Sequence, residues 1–519
     1  MSLTILKMLA LTEVRLRMRR TSTLVALLAV VALSWLMIAD PASGEALITV
    51  KHTRVLYTST ALSIGSATLG CILFGLGGFY LIRGRMAEDI RSGAGSVIGA
   101  TPVGNAQFLL GRWLGAAAYL CTMVFVFMLA IMVLHAVRGD GPIEPFIYLK
   151  NYVYLLLPMV LFTVSAAILF DSWAPLMGKG GDVLFFILWA AQLGVAGANA
   201  EKGLNPLVEL FDFNGMGASM LAVTHALGST NVSLGGGNFD AALAPVRMTD
   251  NLWTGQLILL RLGSAALALL PMLLAVGVFH RFSPDRVKVA SARQRRSPMQ
   301  VLNQILKPLA RVTAPLFALG ARIGGFPGQV VADVALTLAA APSAIAAILG
   351  FGLAALVVPH AALPPLVLGA VVFWGVLVSD LSTRDFAADA EALSAAVPGG
   401  AVTRFVRQFA ATALLGLMLT GVAALSYAFT DPMRAAALLV GVFSFAALAS
   451  GFGRCSRTPR VFLALFLFWS YVSINAGKLA WIDAVGFLGA ANPASMTLWA
   501  GAGTLALATG YLWNRRAAR

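Results

Sequence analysis

The sequence has little charge: only 11% of its 519 residues are Asp, Glu, Lys or Arg, whereas 59% are hydrophobic. Soluble proteins carry roughly 25% charged residues, so this composition excludes a large soluble domain as the main body of the chain. Only three cysteines are present, which excludes a disulfide-rich scaffold. We therefore predict that most of the chain lies in a lipid bilayer.

The sequence also lacks the motifs of common enzymes. A P-loop needs Ser or Thr after a Gly-Lys pair, but Gly180 and Leu479 follow the two Gly-Lys pairs of this chain. No H-E-x-x-H zinc motif or Cys/His cluster occurs, and the five histidines are scattered. The sequence therefore predicts a protein that is not an enzyme, binds no cofactor of its own, and cannot hydrolyse ATP through a P-loop.

Long apolar runs are abundant, and a helix needs about 20 apolar residues to cross a bilayer. The run at 364–379 is short, and it either begins earlier or is kinked at Pro364-Pro365. We predict an all-α integral membrane protein with about 12 transmembrane helices. The predicted spans lie near residues 22–39, 58–82, 108–134, 152–170, 183–199, 256–279, 343–358, 364–379, 405–427, 433–450, 461–476 and 496–513.

An internal repeat divides these spans into two halves of six. Glu13 precedes alternating hydrophobic residues before the first span, and Asp333 does the same before the seventh. Pro102 and Pro398 hold matching places before the third span of each half. We predict two pseudo-symmetric six-helix halves, residues 1–280 and 327–519, joined by a basic cytoplasmic linker at 281–326. An interfacial elbow helix precedes each half, the first at about 3–20.

The distribution of Lys and Arg predicts the orientation. With the N-terminus inside and the spans alternating, all but nine of the 37 Lys and Arg lie in inner segments. By the positive-inside rule, both termini are predicted to be cytoplasmic in a bacterial-type inner membrane. The same rule accounts for the net charge of +15 without a nucleic-acid partner. The nine on the outer side are Lys51, Arg54, Arg138, Lys150, Lys202, Arg247, Arg261, Arg434 and Lys478.

Polar residues inside predicted spans are candidates for the lining of a transport pathway. Gln192, Asn199 and Asn475 are of this kind. We expect Arg261 to extend its side chain outward to the membrane surface, and the alternative is a pair with an acidic group in the core. No Asp or Glu stands at mid-span. Between spans five and six, the region 200–255 predicts a short interfacial helix and a mobile loop.

The pre-helix from Glu13 to Arg20 and the inner loops resemble parts of the type-2 family of ATP-binding-cassette export permeases, in a form with two fused six-helix halves. The pre-helix is similar to that family's elbow helix. The segment Glu88-Asp89-Ile90-Arg91-Ser92-Gly93, followed by Ala100-Thr101-Pro102-Val103, is similar to its coupling segment. The second half departs from the pattern, because Val397 replaces the Thr and the acidic residues are out of register. We therefore expect the halves to be functionally unequal at the cytoplasmic face.

The resemblance implies the membrane subunit of an exporter that moves a hydrophobic or amphipathic cargo. ATP and Mg would be bound by a separate ATPase subunit, in two copies per chain. It implies ATPase-coupling roles for Arg85, Glu88, Asp89, Arg91, Thr101, Pro102, Asp385, Asp389, Glu391 and Pro398, and elbow-helix roles for Glu13, Arg15, Arg17 and Asp333.

Two alternatives remain open. An ion-coupled twelve-helix secondary transporter would share the topology and the basic linker. The long, partly acidic loop between spans two and three and the lack of mid-span carboxylates count against it. The other alternative is a membrane scaffold.

Overall fold

The computed structural model describes residues 3–202, 205–280, 298–391, 393, 396, 400–475 and 479–517. The chain divides into two compact units, Met1–Arg295 and Arg296–Arg519. Their boundary falls within the predicted linker, of which residues 281–297 lie outside the described part. Helices dominate both units, in agreement with the predicted all-α class, although the first unit also contains a three-stranded sheet.

All six apolar runs predicted in the first unit are helical. The sixth, 256–279, is interrupted by a turn at Ala268 and Leu269. The described helices are α1 (Leu3–Met18), α2 (Thr21–Met37), α3 (Ser59–Ile82), α4 (Arg85–Arg91), α5 (Ala94–Ala100), α6 (Asn105–Arg138), α7 (Pro145–Ser172), α8 (Lys179–Lys202), α9 (Pro206–Phe211), α10 (Met216–Leu227), α11 (Gly255–Leu267) and α12 (Leu270–Val278).

Helix α3 lies at the centre of the first unit, and most of its residues are buried. It is rich in Gly, Ala and Ser, which lets α7 approach closely. Polar pairs inside this contact fix the two helices together. Asn151 donates to Ser63 at 2.6 Å, and the hydroxyls of Ser66 and Tyr152 lie 2.9 Å apart.

A small antiparallel sheet lies beside the first half of α3, where Leu47 meets Gly65. Strand β1 (Glu45–Val50) is central, between β2 (Thr53–Arg54) and β3 (Val232–Asn238). The prediction of a mobile loop was wrong for the Gly-rich run, because its backbone pairs with β1 and forms β3. In place of one interfacial helix, two helices, α9 and α10, precede this strand.

The second unit is built around buried Trp374, Phe445 and Phe466. Pro364 and Pro365 lie in the first turn of the helix Leu363–Val378, where proline is tolerated, so they do not kink this helix. The described helices are α13 (Pro298–Ile305), α14 (Thr313–Ile323), α15 (Gly325–Ala340), α16 (Ser343–Val357), α17 (Leu363–Val378), α18 (Arg384–Ala387), α19 (Gly400–Thr430), α20 (Pro432–Ser456), α21 (Arg460–Asn475) and α22 (Pro493–Ala517).

Eight helical stretches of the described chain are long and apolar enough to cross a membrane. The number becomes ten if each of two sharply bent pairs is one span: α1 with α2, bent by 72°, and α15 with α16, bent by 100°. Two of the twelve predicted spans, α21 and α22, are not among these stretches. Helix α21 has only 16 residues, and small and polar residues lower the hydropathy of α22. The chain is therefore a helical protein with eight to ten candidate membrane spans.

Candidate functional site

The predicted elbow helix α1 is attached to the rest of the first unit through Arg17. This buried side chain donates to Glu13 at 2.8 Å and to the backbone carbonyl of Ile82, at the end of α3, at 3.1 Å. Gly115 of α6 leaves room for Glu13, because a Cβ at this position would lie 2.6 Å from the Cβ of Glu13. Glu13 and Arg17 therefore fix α1 against α3 and α6.

Helix α4, which lies in the predicted coupling loop, is linked to α1 and α6 by ion pairs. Arg85 lies 2.7 Å from Glu88 and 3.7 Å from Glu13, and Arg20 lies 2.6 Å from Glu88. Asp89 is buried and pairs with Arg112 of α6. These ion pairs therefore hold α4 against α1 and the start of α6.

Arg83 joins the end of α3 to the ends of two more helices. Its side chain is fully buried and lies between Asp171, at the end of α7, and Asp182, at the start of α8. It also donates to the backbone carbonyl of Leu176 in the intervening turn. The pair with Asp171 measures 3.4 Å. Because these acceptors come from α7, α8 and the turn between them, Arg83 anchors the end of α3 to both helices.

Together these contacts form two neighbouring groups of ion pairs, which we call the arginine–carboxylate network. In the first group four arginines share three carboxylates, and in the second Arg83 alone pairs with two, so the two groups together hold five charges of each sign. Its members are Arg17, Arg20, Arg83, Arg85 and Arg112 with Glu13, Glu88, Asp89, Asp171 and Asp182.

The second unit contains a comparable arrangement. Asp333 of α15 lies 2.7 Å from Arg407 of α19. Arg404, also on α19, lies 3.8 Å from Asp385 and 3.5 Å from Glu391. In each unit, therefore, an arginine near the start of a long helix holds an acidic residue of the preceding loop. The second loop has an additional arginine partner, because Arg454 of α20 pairs with Glu391.

The predicted coupling residues of the first loop separate into buried and exposed groups. Asp89 is buried, whereas Glu88, Arg91 and Pro102 are exposed and Thr101 is half-buried. Sequence reasoning gave all of these residues an ATPase-coupling role and did not separate buried from exposed ones. It also missed Arg83 and Arg112 as network members, although their positions beside the loop were a usable signal.

In the second loop, Asp389 is exposed and has a left-handed backbone with φ of 52°. Asp385 and Glu391 are half-buried by their arginine partners, and Pro398 lies outside the described residues. On the predicted elbow helix, Glu13 is buried, whereas Arg15 is exposed.

Two of the three predicted pathway residues lie together at a second polar cluster. Gln192 accepts a hydrogen bond from Asn214 at 2.9 Å, and Asn199 donates to Glu209 at 3.0 Å. Asn475 is exposed and donates to the carbonyl of Tyr471 on its own helix. Gln192 and Asn199 thus support the short segment that contains α9 and α10.

The expected outward extension of Arg261 was wrong. Only 2% of the residue is exposed, and its guanidinium donates to the backbone carbonyls of Tyr154, Leu155 and Asp212. Glu209 and Asp212 are buried nearby. Burial, reinforced by the charge of Asp212, raises the pKa of Glu209 from 4.5 to about 7.

No family model, curated protein or solved structure matches this chain.

The two polar clusters differ in what they can do. In the arginine–carboxylate network each acid faces a guanidinium, which fixes helices to one another and supplies neither a general base nor a nucleophile. Among the described residues, no group of three or more His, Cys, Asp and Glu side chains could hold a metal ion. The network is thus a set of fixed links between helices. The second polar cluster, Glu209 and Asp212 with Arg261 and Asn199 (the Glu209 cluster), contains a carboxyl group whose pKa is raised to about 7.

Proposed function

We propose that the chain is the membrane subunit of an ATP-driven exporter of the type-2 ATP-binding-cassette kind. The observation that carries this proposal is the arginine–carboxylate network. It connects a bent helix before the first span, a loop of short helices and the start of a long helix. A permease without its own ATP site needs such a rigid connection, so that displacement of the loop by a separate ATPase reaches the membrane helices.

The proposed architecture has twelve spans in two pseudo-symmetric halves. Helices α1 and α15 would be the elbow helices, since each bends sharply into the following apolar helix. Helices α21 and α22 would complete the second half. The 16 residues of α21 extend about 24 Å, and local thinning of the bilayer accommodates a span of that length at modest cost.

The proposed contact with the ATPase is the exposed surface of α4 and α5, which we call the loop face and define as Ala87, Glu88, Ile90, Arg91 and Val97. Ile90 and Val97 are 41% and 69% exposed. This mixture of apolar and charged side chains is typical of a surface that binds another protein.

Exposed Asp389 and Leu393 provide the corresponding contact in the second loop. Two such loops in one chain fit two copies of the ATPase subunit. Both termini would then be cytoplasmic, in an inner membrane of the bacterial type. The cargo would be hydrophobic or amphipathic, and ATP and Mg would be bound by the ATPase.

Within this proposal the buried network residues have a positioning role. Asp89, Glu13 and Arg17 are covered by their own unit, so they hold the loop face in place and do not touch the ATPase. Glu88 belongs both to the network and to the loop face, because it is exposed and also accepts hydrogen bonds from Arg20 and Arg85.

A second candidate function is ion-coupled transport, which the Glu209 cluster favours. Sequence reasoning counted the scarcity of buried carboxylates against a secondary transporter. Glu209 and Asp212 are 1% and 2% exposed, and a buried carboxylate is the usual proton carrier in such proteins.

Purification from native membranes in a mild detergent tests the first proposal against the second. We expect one chain to copurify with two copies of a nucleotide-binding subunit, identified by native mass spectrometry and peptide sequencing, together with ATP hydrolysis. Recovery of the chain alone from membranes in which its neighbouring genes are expressed, with proton flux through proteoliposomes that contain only this chain, would establish the second function instead.

A further inference from the structure

The turn between α9 and α10 places two acidic residues against one buried arginine. Asp212 accepts hydrogen bonds from the backbone N–H groups of Gly217 and Ala218 at 2.9 and 3.3 Å. Glycine at 217 leaves room for the second acid, because a Cβ there would lie 2.5 Å from Oε1 of Glu209. Both carboxylates therefore lie around the first turn of α10.

The charges in this cluster do not balance. Arg261 supplies one positive charge, whereas Glu209 and Asp212 supply two negative charges when both are ionised, and all three residues are at least 98% buried. Neither Oε2 of Glu209 nor Oδ1 of Asp212 has a hydrogen-bond partner. A buried negative charge without compensation is unfavourable, and binding one proton removes it.

Burial raises the pKa of both acids, but Glu209 has fewer hydrogen-bond donors to stabilise its anion. Asp212 is stabilised as an anion by two backbone N–H groups at the start of α10. Glu209 receives one hydrogen bond, from the neutral amide of Asn199.

The ionisable groups that influence the pair from neighbouring elements are Arg261 on α11 and Cys71 on α3. The described neighbours from α8 and α10 are the uncharged Asn199 and Gly217.

We propose that Glu209 and Asp212 form a proton-binding site. One proton, taken from water onto Oε2 of Glu209, completes the charge balance with Arg261. It thereby keeps α9, α10 and the turn between them, residues 206–227, which we call the hairpin, packed against α8 and α11. The backbone carbonyl of Glu209 supports this packing, since it accepts a hydrogen bond from Ser264 of α11 at 2.9 Å. Loss of the proton leaves an unpaired charge in the contact and favours release of the hairpin.

The direction of the pH effect follows from the raised pKa of Glu209. The packed hairpin holds its proton up to about pH 7, whereas an opened hairpin would release it near the ordinary value of 4.5. Packing is therefore fully stabilised below pH 4.5 and weakens as the pH rises toward 7. In this window the opening equilibrium should increase by up to roughly tenfold per pH unit, and above it the increase should level off.

Hydrogen exchange of residues 206–227 in the full chain, held in lipid nanodiscs, tests the site. After correction for intrinsic exchange, wild-type protection should fall between about pH 5 and about pH 7. The variant Glu209→Gln, which is permanently neutral, should remain protected across this range. The control Glu144→Gln, which changes an exposed glutamate, should behave as the wild type does.

Three results would overturn the proposal. One is wild-type protection that does not change with pH, and another is an unchanged pH response in Glu209→Gln. The third is restored protection near neutral pH on addition of sodium chloride but not of choline chloride, which would assign the site to a metal cation. If Glu209→Gln does not fold, infrared titration of the wild type decides. A protonated-carboxyl band that disappears near pH 7 supports the site, and its absence contradicts it.

Discussion

Replacing Arg83 by glutamine is expected to destabilise the first unit by about 3–5 kcal/mol, the usual cost of breaking a buried ion pair. The substitution removes the shared partner of Asp171 and Asp182 and leaves both acids buried at the ends of α7 and α8. Glutamine can replace one hydrogen bond to the Leu176 carbonyl, but it supplies no charge. Unfolding of the purified chain in detergent, followed by helical circular dichroism, measures the loss.

Two further variants make the Arg83 result specific. Arg15→Gln changes an exposed arginine on α1, so it should shift stability by less than about 0.5 kcal/mol. Combining Arg83→Gln with Asp182→Asn removes one of the two carboxylate charges that Arg83 would otherwise pair with, and it should recover part of the lost stability. Equal stability of Arg83→Gln and Arg15→Gln would show that Arg83 does not anchor the three helices.

Replacing both Ile90 and Val97 by serine is expected to weaken the association with the ATPase subunit by roughly 10- to 100-fold, because apolar anchors carry most of the energy of a protein interface. Both side chains are exposed in the first unit, so the substitutions should leave its stability unchanged. Affinity capture at a series of ATPase concentrations measures the effect.

Val137→Ser is the matched control for this experiment. Val137 is 65% exposed, close to the 69% of Val97, but it lies in the last turn of α6, at the opposite end of a 34-residue helix. Its substitution should leave the association unchanged. Equal affinity of wild type and the Ile90/Val97 double variant would remove the loop face from the proposed interface.

Apolar runs predicted the helices well, because residence in lipid requires long uninterrupted stretches of hydrophobic side chains. The same signal could not find β1, since its pairing with β3 joins segments far apart in the sequence. Nor could it separate the glycines of β3 from those of a loop. Hydropathy placed Glu209 and Asp212 between two spans, but it could not show that α9 and α10 pack against α8 and α11.

The charged loop was recognised from sequence, but its buried and exposed residues were not separated. Asp89 and Glu88 are neighbours of the same charge, yet only Asp89 turns toward Arg112 and the interior. Which face of a seven-residue helix is covered depends on tertiary packing, and its periodicity is too short to reveal it.

The expected inequality of the two loops is also sharpened by the structure. The second loop places its acids differently along the chain, but Asp385 and Glu391 still have arginine partners on α19 and α20. Both loops are therefore held by arginines of neighbouring helices. The functional inequality of the two halves stays a prediction.

Photo-crosslinking from the loop face tests the central proposal most directly. A photoreactive amino acid at position 97, and another at 137 as the control, would be incorporated into the full chain and activated in native membranes. We expect the probe at 97 to capture a nucleotide-binding ATPase subunit, identified by mass spectrometry, and the probe at 137 to capture none. An ATPase that copurifies with the chain but never crosslinks from 97, or crosslinks equally from both positions, would contradict the proposed interface.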